Sequence, residues 1–233
     1  MPTAVQLASA AFVNPLLKPL PNVAGLMAWS YWGGSLAASQ NVIAAGGAYS
    51  NFGTGPTWSA NYGHCVSGVG QILSAVLANA PAQTVLAACR WVSGGTGGAG
   101  NTIVQPSSGG GMIAQLMNTG ASVQMTASGV ASPTAVALTA TNTAFKFYAF
   151  EAGGGNAAFV YNLTDGTNAT GGTAGNMTGA ASAYWIGGGA AGANNQQADI
   201  AFFALYNSFV SKANIDSIYA HVKDVLTSRG ITV

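Results

Sequence analysis

Charge is what this chain has least of. Lys, Arg, Asp and Glu together make up 5% of its 233 residues, against about a quarter in an ordinary soluble domain. Six basic and five acidic residues leave a formal net charge of +1. No basic stripe is available to neutralise a run of phosphates, which argues against a nucleic-acid partner. Cysteine is equally scarce. Cys65 and Cys89 are too few for a disulfide framework. The first basic residue is Lys18, so a positively charged leader segment is missing and no secretory signal is expected. Free thiols follow from that expectation. Long apolar runs are missing as well. The most apolar window, 71–89, is interrupted by Gln71, Asn79, Pro81 and Gln83, so no membrane insertion is expected.

A surface this poor in charge is a solubility risk for a free monomer. Inside an assembly it is an advantage, because each buried charge carries a desolvation cost. The competing reading is a secreted or environmental protein with a polar Ser, Thr and Asn surface.

What is abundant is glycine, 33 of 233 residues, and apolar residues, 49%. Glycine is at roughly twice its usual share, and the apolar content is too high for a disordered chain. Residues 1–24 read as an arm, because "NPLLKPLPN" carries three prolines in nine residues, which suits neither helix nor central strand. Residues 25–233 read as one domain. Short apolar runs separated by Gly, Asn, Ser and Pro clusters are the signature of an all-β chain. "GLMAWSYW" (25–32) alternates and places Met27, Trp29 and Tyr31 on one face. "TVLAACRWV" (84–92) sets Leu86, Ala88 and Arg90 against Val85, Ala87 and Cys89. Strands are expected at 101–105, 112–118, 122–128, 134–141, 145–152, 156–166 and 183–189. "ADIAFFALYN" (198–207) is apolar on both faces and should be buried on both. "EAGGGN" (151–156) and Asp165-Gly166 read as turns, and "GGTAGN" (171–176) as a Gly-rich loop.

The end of the chain changes period. Ser211 is an N-cap candidate. Ile215, Ile218, Tyr219, Val222, Val225 and Leu226 form one helical stripe over 212–228. Arg229 sits where a cation suits the helix dipole, and Gly230 is the expected stop. Three of the five acidic residues lie in 198–230, because an amphipathic helix needs a solvated face.

The segment from "FKFYAFEAGGGNAAFVYNLTDGT" through "YWIGGG" to "DIAFFALYNSFVSKANIDSIYAHVKDVL" resembles the C-terminal half of laminin-G-like, or concanavalin-A-like, jelly-roll domains. The residues that carry the resemblance are Asp165-Gly166, Ile186-Gly187-Gly188, Asp199-Ile200-Ala201, Tyr206-Asn207 and Ser211 to Ile215. Asn214 stands where an acidic residue is common, the N-terminal arm matches nothing, and the match covers roughly 145–226. The resemblance implies a two-sheet antiparallel jelly-roll sandwich with one C-terminal α-helix. It also implies, as weak calcium candidates, Asp165 and Asp199, which compete with turn and strand-start roles.

Glycosidases of this fold use paired carboxylates. Here the single glutamate, Glu151, falls in an expected turn, and its nearest acidic neighbour in sequence is Asp165. No pair is arranged for cleavage, so no catalytic residue, enzyme activity or cofactor is expected. His64 and Cys65 are adjacent and would point to opposite faces of a strand, so they form no dyad. Two Cys and two His lack zinc-ligand spacing. Gly95, Gly97 and Gly100 match a dinucleotide fingerprint by letters, but a strand-like run follows where a helix is required.

The stretch with binding potential is "GGAYSNFGTGPTWSANYGHC" (46–65). Trp58, Tyr62 and Tyr49 could stack on sugar rings, and Asn51 and Asn61 could hydrogen-bond the hydroxyls. The competing reading is that these aromatics turn inward and fill the sandwich. The resemblance extends to jelly rolls of bacteriophage tail fibres and head-decoration proteins. A non-enzymatic virion component is therefore expected, assembled in the host cytoplasm, with other virion proteins and copies of itself as partners and a host glycan as a further ligand. The alternatives are a carbohydrate-binding adhesion module of a cell surface and a glycoside hydrolase-like protein.

Overall fold

The computed structural model describes the whole chain except residues 1–19, 22–23, 41, 43–47, 67–69, 74–79, 95–99, 108–109, 118–119, 129–133, 178–182 and 189–196. Two antiparallel sheets lie face to face, with strands numbered in chain order. The first runs β13 (Thr167–Thr173), β12 (Asn156–Asn162), β11 (Lys146–Gly153), β6 (Ala82–Val92), β15 (Gln197–Tyr206), β4 (Gly63–Val66) and β3 (Thr57–Trp58). The second runs β10 (Thr134–Thr139), β9 (Ser122–Ser128), β8 (Gly111–Leu116), β7 (Asn101–Pro106), β14 (Tyr184–Ile186), β5 (Gly70–Leu73) and β2 (Tyr49–Phe52). Helix α1 (Lys212–Ser228) closes the chain. This is the expected jelly-roll sandwich with one C-terminal helix.

β15 is the hub of the first sheet. One edge pairs with β6 along its length. The other is shared: residues 197–200 pair with β4, and residues 202–206 with β1 (Leu26–Tyr31). A bulge between Ile200 and Phe202 switches the side-chain parity of β15. Ala198, Ile200, Phe203 and Leu205 enter the core between the sheets, while Phe202, Ala204 and Tyr206 face the other way. β6 splits similarly, with Val85, Ala87 and Cys89 inward and Leu86 and Ala88 outward. Both strands lack polar alternation because both of their faces are covered.

The outer cover is α1. Ser211 caps it by accepting from the Asn214 N–H at 3.3 Å. Ile215, Ile218, Val222, Val225 and Leu226 are buried against Phe147, Phe202 and their neighbours. Each such side chain contributes about 1.5–3 kcal/mol relative to exposure. Leu20, at the end of the proline-rich segment, is buried in the same outer cluster. The rest of the proposed 1–24 arm lies outside the described residues, apart from Pro21 and Ala24.

Four local expectations need correction. Met27 does not share a face with Trp29 and Tyr31. A bulge between Leu26 and Ala28 turns Met27 toward the inter-sheet core, while Trp29 and Tyr31 join the outer cluster. Glu151 is not in a turn; it is a buried residue of β11, 1% exposed. The run 156–166 ends as a strand at Asn162, and a further strand, β13, occupies part of the expected Gly-rich loop. β13 is an edge strand with a mostly exposed surface, so its sequence carries no apolar alternation. The 46–65 stretch contains β2, β3 and part of β4 rather than a single loop.

Candidate functional site

The β3–β4 hairpin separates the residues expected to bind together. Trp58 and Gly63 are opposite one another, and the Ser59 N–H donates to the Tyr62 carbonyl at 3.0 Å. Trp58 is half-buried and leans on Trp32, ring centres 5.7 Å apart, on the core side. Tyr62 is half-buried on the opposite face, tilted against Phe145 at 5.6 Å. Tyr49 is no stacking platform, being only 4% exposed. Its hydroxyl receives a hydrogen bond from Ser30 at 3.1 Å, and burial raises its pKa. Asn51 is exposed but lies on the second sheet, beside Gly55. Asn61 alone of the five borders a described cavity.

That cavity, of about 530 Å³, opens where the end of β1, the hairpin turn and the end of α1 converge. Trp29, Tyr31, Ala60, Asn61 and Arg229 are among its walls, and Val42, 59% exposed, stands at it. Gly33 makes the convergence possible. Its φ is +142°, and a Cβ there would lie 2.6 Å from both the Ala60 carbonyl oxygen and Arg229 Nη2. Gln40 also lines the space, but its amide is committed to the Tyr49 backbone, donating to the carbonyl at 3.2 Å and accepting from the N–H at 2.8 Å. The Asn61 side chain makes no hydrogen bond among the described residues.

Arg229 anchors the helix end to β1. Its Nη2 donates to the Trp32 carbonyl at 2.6 Å, and its guanidinium lies 5.8 Å from the Tyr31 ring centre. Burial pulls its pKa below the ordinary arginine value, and pushes the Tyr31 phenol up. In the amino-acid sequence Arg229 reads only as a dipole partner, and Trp29 and Tyr31 only as a strand face. The local signal for their meeting does not exist, because Trp32 and Arg229 are 197 residues apart.

A second polar group sits on the same face of the first sheet. Strand register sets Asp199 opposite both His64 and Arg90. Its nearly buried carboxylate accepts from His64 Nδ1 at 2.7 Å and from Arg90 Nε at 2.7 Å. Arg90 also covers the Tyr62 and Phe145 rings at 5.2 and 4.8 Å. Asp199 is thus an ion-pair hub. Asp165 accepts from Lys146 at 2.5 Å and from Asn162 at 2.8 Å, and the Lys146 hydrogen bond holds its pKa below the ordinary value. Both calcium candidates therefore face protein donors, and among the described residues no cluster of three metal-ligating side chains occurs. Cys65 and Cys89 are free and buried in the core, and burial raises both thiols.

Glu151 is held apart from the other carboxylates. Its Oε1 accepts from Thr84 at 3.2 Å and from the Val210 N–H at 3.1 Å, and burial pushes its pKa up to about 7. The remaining fingerprint glycine, Gly100, leads into β7, a strand. Gly95 and Gly97 lie outside the described residues. Among the described residues no helix is long and apolar enough to cross a membrane.

No protein-family model matches the chain, and no curated protein sequence matches it significantly. Solved structures do. The binding domain of botulinum neurotoxin serotype C1 superposes with a TM-score of 0.61 at 10% identity, over 84% of this chain and 51% of that one. The binding domain of botulinum neurotoxin DC in complex with SialylT gives 0.61 at 10% identity, over 84% and 51%. The same domain in complex with rat synaptotagmin II gives 0.62 at 9% identity, over 84% and 51%. At such identities the likeness shows the fold alone. The chain spans about half the length of these structures.

Proposed function

We propose that this chain is a non-enzymatic recognition module that binds a glycan in the cavity between the end of β1 and the β3–β4 turn. The observation that carries the reading is the cavity itself. It has about 530 Å³ of space, exposed apolar positions Ala38, Val42 and Ala60 among its walls, and the side-chain amide of Asn61 at its border, while Trp29 and Tyr31 are only 3% and 7% exposed. Concave sites of this size, mostly apolar with a few placed polar groups, are the usual form of small-ligand sites. The fold supports the reading by analogy, since structures of the same fold were solved in complex with SialylT and with rat synaptotagmin II. Weak affinity at each site suffices if several copies are displayed together.

The test is a glycan array followed by titration calorimetry of the hits. Asn61→Ala should weaken binding with an unchanged melting temperature. Ala60→Trp places a bulky ring at an exposed wall position and should abolish binding. Binding that survives Ala60→Trp would move the ligand away from this cavity.

The second reading is a structural part of a virus particle, such as a bacteriophage tail fibre or head decoration. Its support is the 5% charge content, which suits a surface buried among neighbouring subunits. Under this reading residues 1–19 dock outside their own domain, and deleting them should abolish assembly while leaving the sandwich folded. Labelling of intact particles checks it directly.

A further inference from the structure

The described charges stand on one side of the molecule. Arg90, Lys146, Glu151 and Asp199 belong to the first sheet, Asp165 to the turn after β12, and the others to α1 and its C-cap. The strands of the second sheet carry none. The stretch between Arg90 and Lys146, which supplies β7 to β10, has no Asp, Glu, Lys or Arg. Its outward side chains are partly or fully exposed, among them Gln124 and Thr126 of β9, Ile113 and Gln115 of β8, Ala137 of β10 and Trp185 of β14. Their strand neighbours, such as Met112, Val123 and Tyr184, fill the core. Register aligns Ala137, Gln124, Gln115 and Thr102 in one row across four strands. Gln115 donates to the Thr102 hydroxyl at 3.4 Å, which donates to Gln105 at 3.3 Å. The Gln124 side chain makes no hydrogen bond among the described residues.

None of the described cavities opens on this face, so it gives a small ligand no concave seat. What it presents is a plane. Its seven strands, about 4.8 Å apart and about 17 Å long, span on the order of 500 Å². Two such faces together bury about 1,000 Å² or more, the threshold for a specific interface. A charge would oppose such a pairing, because each buried charge is desolvated and a two-fold axis repeats it on the partner. Amide and hydroxyl groups carry both donors and acceptors, so a face of Gln, Thr and Ser is complementary to its own image. We propose that this charge-free face is a homodimer interface, in which the second sheets of two copies pack together about a two-fold axis. Small Ala and Thr side chains let the sheets approach to about 10 Å, and Trp185 and Ile113 are the apolar anchors. The charged side, with α1 and the cavity beside β1, stays in water on both copies. The inference does not depend on what that cavity binds.

Sedimentation equilibrium of the full chain at low salt tests it. The wild type should approach twice the 23.1 kDa chain mass as its concentration rises through the micromolar range. Gln124→Lys places an ammonium within the face and repeats it on the second copy. It should weaken dimerisation at least about tenfold, with an unchanged far-ultraviolet circular dichroism spectrum. Ala137→Lys, at an exposed position of the same row, gives the same result and serves if Gln124→Lys fails to fold. Asp224→Lys, on the exposed side of α1, should leave the dimer unchanged. A wild-type chain that stays monomeric at about 100 µM overturns the proposal, because Kd then lies near the millimolar range. A dimer that survives both lysine variants on the face also overturns it. So does a monomeric wild type whose binding to a neutral glucan is lost in Gln124→Lys, since the face then belongs to a saccharide. Ala60→Trp should leave the dimer intact while abolishing glycan binding, so this proposal and the glycan reading fail separately.

Discussion

The outer face of the first sheet is covered in two different ways. Over β6, β11 and β15 the cover is a helix, and Phe147, Phe202, Ile218 and Val222 are all fully buried. At the end of β1 the cover is a hairpin turn and a single arginine, and a cavity of about 530 Å³ is left between them. Both parts use aromatic side chains. The difference is closure. Interlocked apolar side chains under the helix leave little to gain from a ligand. At the β1 end, Arg229 Nη1 and the Tyr31 hydroxyl are buried without a hydrogen-bond partner among the described residues, so packing there is less complete. The covered part stabilises the fold, and the open part is where the proposed binding site lies.

The sharpest way to break this comparison is to put a charge under the helix. Ile218→Asp should cost about 4 kcal/mol or more, because a buried carboxylate would have no partner. Denaturant titration checks it, and a variant that unfolds like wild type would show that α1 does not seal the face.

The next largest effect is a pH dependence from Glu151, at the sealed side. Its folded pKa is raised to about 7 by burial. The folded state therefore holds a proton that the unfolded chain has already released. Stability from this group is fully present below the unfolded value, near 4.3, and is lost as pH rises through about 7. The loss amounts to between about 3 and 4 kcal/mol. Glu151→Gln should flatten the stability profile between those limits and be more stable than wild type at pH 8. A wild-type profile that rises across the window would contradict the assignment.

Trp58 tests where the hairpin divides the two regions. It is half-buried against Trp32, so Trp58→Ala should destabilise by about 2 kcal/mol, less than the 3–5 expected for a fully buried aromatic. Thermal melts decide between this and a stacking role for Trp58, which requires an unchanged melting temperature. The smallest effect belongs to Tyr31→Phe. Removing a buried hydroxyl without a partner should stabilise the fold by about 1 kcal/mol. A large loss would mean that the hydroxyl has a partner in solution and that the open region is closed after all.

Elements with strong local periodicity are legible in the amino-acid sequence. The α1 stripe from Ile215 to Leu226 and the doubly apolar β15 follow from side-chain spacing alone. Edge strand β13 is not legible, because an exposed edge needs no apolar face. Glu151 reads as a turn residue, because a carboxylate beside three glycines looks like one until Thr84 and Val210 are brought to it. Of the expected binding residues, Asn61 reaches the cavity, Tyr49 goes to the core, and Trp58 and Tyr62 go to opposite faces. The hairpin pairing that parts them depends on a turn whose register the letters do not specify.

By itself the amino-acid sequence determined what depends on neighbours a few positions away. That is an all-β chain with one capped, amphipathic C-terminal helix, little charge and a single glutamate. Tertiary structure alone decided which residues meet. Bulges at Met27 and after Ile200 chose the faces. Strand order set Asp199 between His64 and Arg90, and Gly33 let Arg229 reach β1 across 197 residues. Periodicity is written in local steric preferences, whereas a site is assembled by long-range packing that no local pattern encodes.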